Sequence, residues 1–222
     1  FDSRHLHLFP PSFNYASHMY IPRPFQIDSE EAKELLKSFS IGQLVTATSH
    51  GPMATLVPWV FDDTGNRLIG HLSRANSQWS TPCLGEALII VDVVNGYVRP
   101  NWYATKQETG KVVPTWDYVV IQIRGELVVH DDVSWVKDAV EKLTNRHEKV
   151  RTNSWKVDDA PSEYVETQLK AIVGVEFKIS SIEAAVKMSQ NKSDVDVDGV
   201  VQGFESDGRS DLAEWVQKYR KN

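Results

Sequence analysis

The sequence predicts a mainly β protein, a small closed barrel with helices at its periphery. Three observations predict it. Strand signals crowd together between residues 41 and 72, separated only by short turns. Further strand-like runs recur at 86–94, 117–130 and 172–188. Segments of helical period stand beside these runs rather than alternating with them, which argues for an antiparallel meander over βαβ units. Six or seven such strands would leave exposed sheet edges, and closure into a barrel removes them.

The elements follow in order. Asp28 or Ser29 caps a helix to about Phe39, with acidic residues in its first turn and Ala32, Leu35, Leu36 and Phe39 on one stripe. Strands at 41–48 and 53–61 flank a turn at Ser49-His50-Gly51-Pro52. A second turn at 62–66 leads to a strand at 67–72. Ser73 then offers a cap for a short helix at 74–80. The stretch 95–111, rich in Pro, Gly and aromatics, reads as an ordered functional loop. The strand at 117–130 is interrupted at Gly125. Helices are expected at 135–149 and 161–171, the latter with proline at its start, then a strand to 188 and an amphipathic helix at 211–220.

Bulk properties bound the function. The chain has 222 residues, 41% of them hydrophobic, which supports one sizeable core. No apolar run approaches the roughly 20 residues needed to span a bilayer. The lone Cys83 excludes an intrachain disulfide, and a cytoplasmic location is expected. With 24 basic and 30 acidic residues the net charge is −6, so general attraction to DNA is not expected. Residues 1–18 have neither helical nor strand period, and Ser17-His18-Met19 resembles a cloning junction. The expected organisation is a leader at 1–18 that is vector-derived or disordered, a barrel domain with helical insertions at 19–192, and a helical tail at 193–222.

Five constellations carry potential chemistry. In GHLSRANSQW, residues 70–79, a strand end meets the expected helix start, where free N–H groups favour an anion. Arg74 adds a fork of donors suited to phosphate, with Ser73, Asn76 and Gln78 nearby. The competing reading is an ordinary capped helix. Residues 96–118 gather Tyr97, Trp102, Tyr103, Trp116 and Tyr118 among prolines, either to wall a flat ligand or to pin a loop. Lys187-Met188-Ser189-Gln190-Asn191-Lys192 is a polar row just past a strand, or simply a solvated turn. At 143–148, His147-Glu148 begins like a zinc-protease helix, but Arg151 stands where the second histidine is needed. Asp194, Asp196, Asp198, Gly199 and Glu205 match a calcium-loop pattern, against which an acidic linker capping a short helix at 200–204 is weighed. No Gly-rich dinucleotide fingerprint, Walker loop, CxxC pair or nucleophile elbow is present.

Taken together, MYIPRPF (19–25), GHLSRANSQW (70–79), YVRPNWYATK (97–106), GKVVPTWDY (110–118), LTNRHE (143–148), and IVGVEF with KMSQNK (172–192) resemble the PaiB-type family of FMN-binding negative transcriptional regulators. The stretches occur in the family's order, from Met19 to about Phe204. Ser77 stands where proline is usual, Asp117 where asparagine is common and Met188 where leucine is commoner, and Arg99, Asn101, Ala104 and Thr105 vary the aromatic loop. The resemblance implies an FMN-binding split β-barrel like that of pyridoxamine phosphate oxidases, a homodimer with FMN across its interface. It implies His71, Arg74, Asn76 and Gln78 around the phosphate, and Val113, Pro114, Thr115 and Trp116 beside the flavin ring. Lys187, Ser189, Gln190 and Asn191 are expected from the other subunit. The expected function is a PaiB-like regulator, for which direct DNA contact has no support from charge or motif. The alternatives are a flavin-dependent oxidoreductase, and a barrel binding another planar ligand such as haem through His71, His130 or His147. No catalytic residue and no metal site is assigned.

Overall fold

The computed structural model describes residues 19–220, so the leader expected at 1–18 lies outside them. Helix α1 (Ser29–Lys37) starts where the Asp28 carboxylate accepts the Glu31 N–H at 2.8 Å, and it buries Ala32, Leu35 and Leu36. The strands are β1 (Ile41–Thr48), β2 (Gly51–Pro58), β3 (Val60–Asp62), β4 (Arg67–Ser73), β5 (Ala87–Val98), β6 (Thr115–His130) and β7 (Ile172–Lys187). They form one sheet in the order β2-β1-β5-β6-β7-β4-β3, with every pair antiparallel. The inner face is apolar: Leu44, Val57, Leu68, Ile89, Ile121, Ile123, Val175 and Phe177 are all buried. Strand β2 also packs against β4, so the sheet rolls over this core as a split barrel.

The roll depends on a bulge between Arg124 and Gly125 in the β6–β7 ladder. A Cβ at Gly125 would stand 2.0 Å from the Lys178 carbonyl oxygen and 2.8 Å from the Phe177 ring. Only glycine lets the two backbones approach this closely. The interruption read at Gly125 is therefore a bend within a single strand.

Helix α2 (Thr105–Thr109) sits in the aromatic loop. Helices α3 (Val133–Glu148) and α4 (Ser162–Lys170) cover the outer side of β4 and β7 and bury Val136, Ala139, Leu143 and Leu169. Arg146 of α3 reaches the end of α1 and the residues after it, where it donates to the Ser40 hydroxyl (2.7 Å) and to the Lys37 and Phe39 carbonyls (2.5 and 3.2 Å). Helices α5 (Asp194–Ser206) and α6 (Ser210–Lys218) close the far end, where Phe204 and Leu212 pack over Gly96.

Three expectations need correction. The helix expected at 74–80 is only a 3-10 turn, Ser77–Trp79, capped by Asn76 rather than Ser73. The reason is tertiary: the Arg74 N–H donates to the Ala171 carbonyl (2.9 Å), which extends the strand pairing beyond Ser73. The loop expected at 95–111 begins later, because β5 continues to Val98 opposite Thr115. The calcium-pattern acids fall on helix α5, not on a loop. Val197, Val200, Val201 and Phe204, spaced i, i+3, i+4 and i+7, bury that helix. Asp196 there accepts the Thr105 N–H (2.9 Å) and hydroxyl (2.6 Å). Among the described residues no three or more His, Cys, Asp or Glu side chains are grouped to hold a metal.

The seam between α5 and the aromatic loop gives a sign test. Gly199→Ala gains about 1 kcal/mol in helix propensity. Its Cβ would however lie 1.9 Å from the Trp102 carbonyl oxygen, a backbone atom that cannot rotate away. The clash wins, and urea unfolding should show a net loss of roughly 1–3 kcal/mol.

Candidate functional site

The segment after β4 is braced rather than open. Gln78 is 1% exposed, and its amide ties strands β1 and β2 together. Its Nε2 lies 3.1 Å from the Leu44 carbonyl, 3.1 Å from the Thr46 hydroxyl and 3.3 Å from the Met53 carbonyl. Its Oε1 accepts the Thr55 hydroxyl at 2.5 Å, and Asn76 Nδ2 donates to that same Thr55 oxygen at 2.9 Å. Arg74 is exposed but committed. It makes a two-point ion pair with Asp131 (2.5 and 3.2 Å) and donates to the Lys170 and Ile172 carbonyls (2.8 and 3.1 Å). Asp131 and Arg74 favour each other's charged forms through these bonds. The hydroxyls of Ser73 and Ser77 stand at the surface beside them.

His71 points away from this group. It lines an apolar pocket of about 270 Å³ beneath α3 and α4, with Val140, Val157 and Leu169. Burial lowers its basicity, and its Nδ1 is enclosed without a hydrogen-bond partner. His130 is held by Glu176 (2.9 Å) and stacks on Trp135 with ring centres 4.0 Å apart. Burial pushes the Glu176 carboxyl up, but hydrogen bonds from His130 and Arg67 outweigh it and hold the group below its usual range. His147 is exposed near the end of α3.

The second cluster lies at the other end of β7. Asp117 is fully buried, and its carboxylate accepts the Ser189 hydroxyl at 2.7 Å and lies 3.4 Å from Lys187 Nζ. The same Nζ donates to the Thr115 hydroxyl (2.8 Å) and to the Trp116 carbonyl. Burial pushes the Asp117 carboxyl up, against the Ser189 and Lys187 bonds that pull it down. Ser189 holds the left-handed backbone (φ 57°) that glycine adopts more readily, fixed in part by its bond to Asp117. Gln190 turns inward, accepting the Met188 N–H (2.7 Å) and donating to the Val186 carbonyl (2.5 Å). Tyr103 faces Ser189 without a well-formed hydrogen bond, and burial together with the Asp117 charge pushes its phenol up to about 12. Above this buried base Trp116 is 53% exposed, edge-on to exposed Tyr97 at 6.1 Å, with Val113, Pro114 and Asn191 exposed nearby.

The grouping differs from the expected one. Residues 113–116 do not join the 70–78 residues within a chain; they join 187–191, because β6 and β7 pair with Tyr118 opposite Lys187. Ser73 lies opposite Ile172 at the start of β7, and Lys187 ends the strand. At about 3.3 Å per residue, roughly 50 Å of curved strand path separates the two clusters. Thr46, Thr55 and Asp131 escape sequence reading, because each gains its role from a residue distant in the chain.

The arrangement suits a flat anionic cofactor at two points. Exposed Trp116 and Tyr97 offer ring faces above a polar base, and Ser73, Arg74 and Ser77 offer phosphate-type donors once Arg74 is released from Asp131. Residues 19–181 match the family described as "Putative FMN-binding domain". The chain is 29% identical over 196 residues to "Protease synthase and sporulation protein PAI 2" of Bacillus subtilis, covering 85% of this chain and 90% of that protein. It is 32% identical over 200 residues to an uncharacterized protein of Emericella nidulans, covering 83% and 74% respectively. In fold it is similar to the FAD and heme binding protein of Mycobacterium smegmatis, with TM-score 0.53, 16% identity and 77% of each chain covered.

Two variants probe the site's supports. Gln78→Leu leaves the Thr46 and Thr55 hydroxyls and two strand carbonyls short of partners in the interior. It should lower unfolding free energy by about 3 kcal/mol in chemical denaturation, the Thr55 hydroxyl keeping only its bond from Asn76. Asp117→Asn removes a buried carboxylate whose folded form resists ionisation. An acid raised on folding gives stability at low pH that is lost as pH climbs above the ordinary carboxylate range. The melting temperature of Asp117→Asn relative to the parent should therefore rise from pH 4 towards pH 7; a flat difference would contradict it.

Proposed function

We propose, from the premise that this chain belongs to the FMN-binding family it matches, that it works as a homodimeric flavoprotein with a regulatory role. FMN is the family's cofactor and supplies one- and two-electron redox chemistry when bound. In this reading Ser73, Arg74 and Ser77 of one protomer serve the phosphate end, with Asn76 and Gln78 bracing that segment from within and His71 behind it. The Val113–Trp116 cluster, with Lys187, Ser189, Gln190 and Asn191 of its partner, serves the ring. The observation that carries the reading is the family match over most of the chain. The separation of the two clusters along β7 supports the dimer, since a second copy is what brings one cluster to the other. The outward residues of β1 and β2 also support it: Ile41, Gln43, Ala47, Pro52, Ala54, Leu56 and Pro58 include no charge, and Leu56 is 58% exposed. An uncharged, partly apolar sheet face of this kind suits association with a like surface.

The regulatory role rests on the sequence resemblance to a family of negative transcriptional regulators; the Bacillus relative is named for protease synthesis and sporulation. Action through a flavin-dependent state or a protein partner fits this chain better than direct reading of DNA. Helices α5 and α6 are joined by the three residues 207–209, the length of a DNA-reading helix turn. The exposed face of α6, however, carries Asp211, Glu214 and Gln217 against a single Lys218. Two carboxylates there oppose a phosphate backbone.

A visible spectrum with and without added FMN tests cofactor binding. Paired variants test the phosphate end. Arg74→Ala should weaken FMN binding by roughly tenfold or more, the loss of a charge-assisted contact. Asp131→Ala should leave binding intact or tighten it, because it frees the guanidinium. Equal affinity in all three proteins would reduce Arg74 to a brace between strands.

A further inference from the structure

An open groove of about 650 Å³ lies between the C-terminal half of α3 and the β3–β4 hairpin. That size accommodates a small organic ligand. One wall is apolar, made by Val60, Phe61 and Ile69. The other is a polar stripe of Lys142, Asn145, Arg146 and Lys149. Their spacing of i, i+3, i+4 and i+7 puts all four on one helical face.

Charge accounting separates this groove from an ordinary solvated helix. Arg67 and Asp62 also line it, but they pair with each other at 2.9 Å, and Arg67 is shared with Glu176 at 3.2 Å. Asp62 is further held by Thr64 and stays ionised, its carboxyl lowered to about 2. Lys33 and Lys37, close to the Phe61 ring, are met by Asp63 and Glu34. Lys142 and Lys149 have no carboxylate within ion-pair distance among the described residues. Arg146 spends Nε and Nη2 on a hydroxyl and two carbonyls, groups without net charge, and its Nη1 has no partner among the described residues. The α3 dipole contributes only about half a negative charge at this end. Three cations exceed that, and cations at i, i+4 repel one another. The surplus sits in a chain whose net charge is −6.

We propose that this groove is a second ligand site, for an organic phosphate carrying a flat ring, such as a nucleotide. The phosphates meet Lys142, Arg146 and Lys149, and the ring lies along Val60, Phe61 and Ile69. The chemistry favours a small ligand over a nucleic acid, because duplex binding spreads its cations along a broad surface. Here they converge on one concave spot. The groove adjoins the Arg67 end of β4, whereas the proposed flavin contacts begin at Ser73, the other end of that strand.

Titration of ADP into FMN-saturated protein, followed by calorimetry, tests this. ADP should bind once per chain, and more tightly than inorganic pyrophosphate, which lacks the ring. The double variants Lys142→Glu/Lys149→Glu and Lys142→Gln/Lys149→Gln should both weaken ADP by at least about tenfold. FMN spectra of both should be unchanged, since both lysines are exposed, and so should the melting temperature of the Gln variant; the Glu variant is expected to melt somewhat lower, because carboxylates oppose the dipole at this helix end. No heat of binding at millimolar ADP, or equal affinity in the variants, overturns the proposal. Displacement of FMN by ADP overturns it as a separate site. Loss of duplex DNA binding in the variants, without any ADP binding, makes the groove a nucleic-acid contact and overturns it likewise.

Discussion

The barrel depends on the close approach of two backbones at Gly125. The β6–β7 pairing is the longest in the sheet, running from Tyr118 opposite Lys187 to His130 opposite Gly174. A ladder of that length without a bend would stay a twisted ribbon with one face exposed. The bulge folds its two halves towards each other, so Ile121 and Ile123 on one side and Phe177 on the other face a common interior. Everything placed at the two ends of β7 inherits its position from this bend. That includes the Ser73 segment, joined through β4, and the Asp117 cluster, joined through β6.

Most of the fold is legible in the sequence because its strands obey a simple burial rule. Residues 41–48 alternate between exposed or part-buried and fully buried sides, and their predicted limits coincide with β1. The α1 stripe and its Asp28 cap are equally plain. Where reading fails, a distant partner has overridden the local signal. Ser73 and the residues after it have the composition of a helix start, yet the Ala171 carbonyl, almost a hundred residues away, takes the Arg74 N–H and keeps the chain extended. The calcium pattern fails for the opposite reason. The apolar spacing of Val197, Val200, Val201 and Phe204 is helical, and burial of that face outweighs any tendency of the acids to form a loop.

Residue types at the candidate site are legible, but their grouping is not. A polar row after a strand and an aromatic stretch before another are visible in one dimension. That the two meet, with Lys187 bridging to Thr115, depends on strand pairing across about 70 residues. The orientation of side chains is hidden as well. Gln78 has the composition of a ligand contact and the environment of a core amide. Asp117 turns its carboxyl into the interior and bonds Ser189. Glu176 sits in an apolar run and is kept ionised by Arg67 and His130, neither of them near it in sequence.

One guanidinium ties together three elements that pack on the same side of the sheet. Arg74 holds the end of β4, the Asp131 corner between β6 and α3, and the junction where α4 gives way to β7. An anion that recruits this side chain must release Asp131, and with it one tether of the helical layer. Linkage is reciprocal: whatever loosens α3 and α4 raises the affinity for the anion by the same factor that the anion loosens them. If an anion does recruit Arg74, a clasp that looks like a surface ion pair would give that anion and the packing of the helical layer a shared equilibrium, so that occupancy at one is felt as mobility at the other.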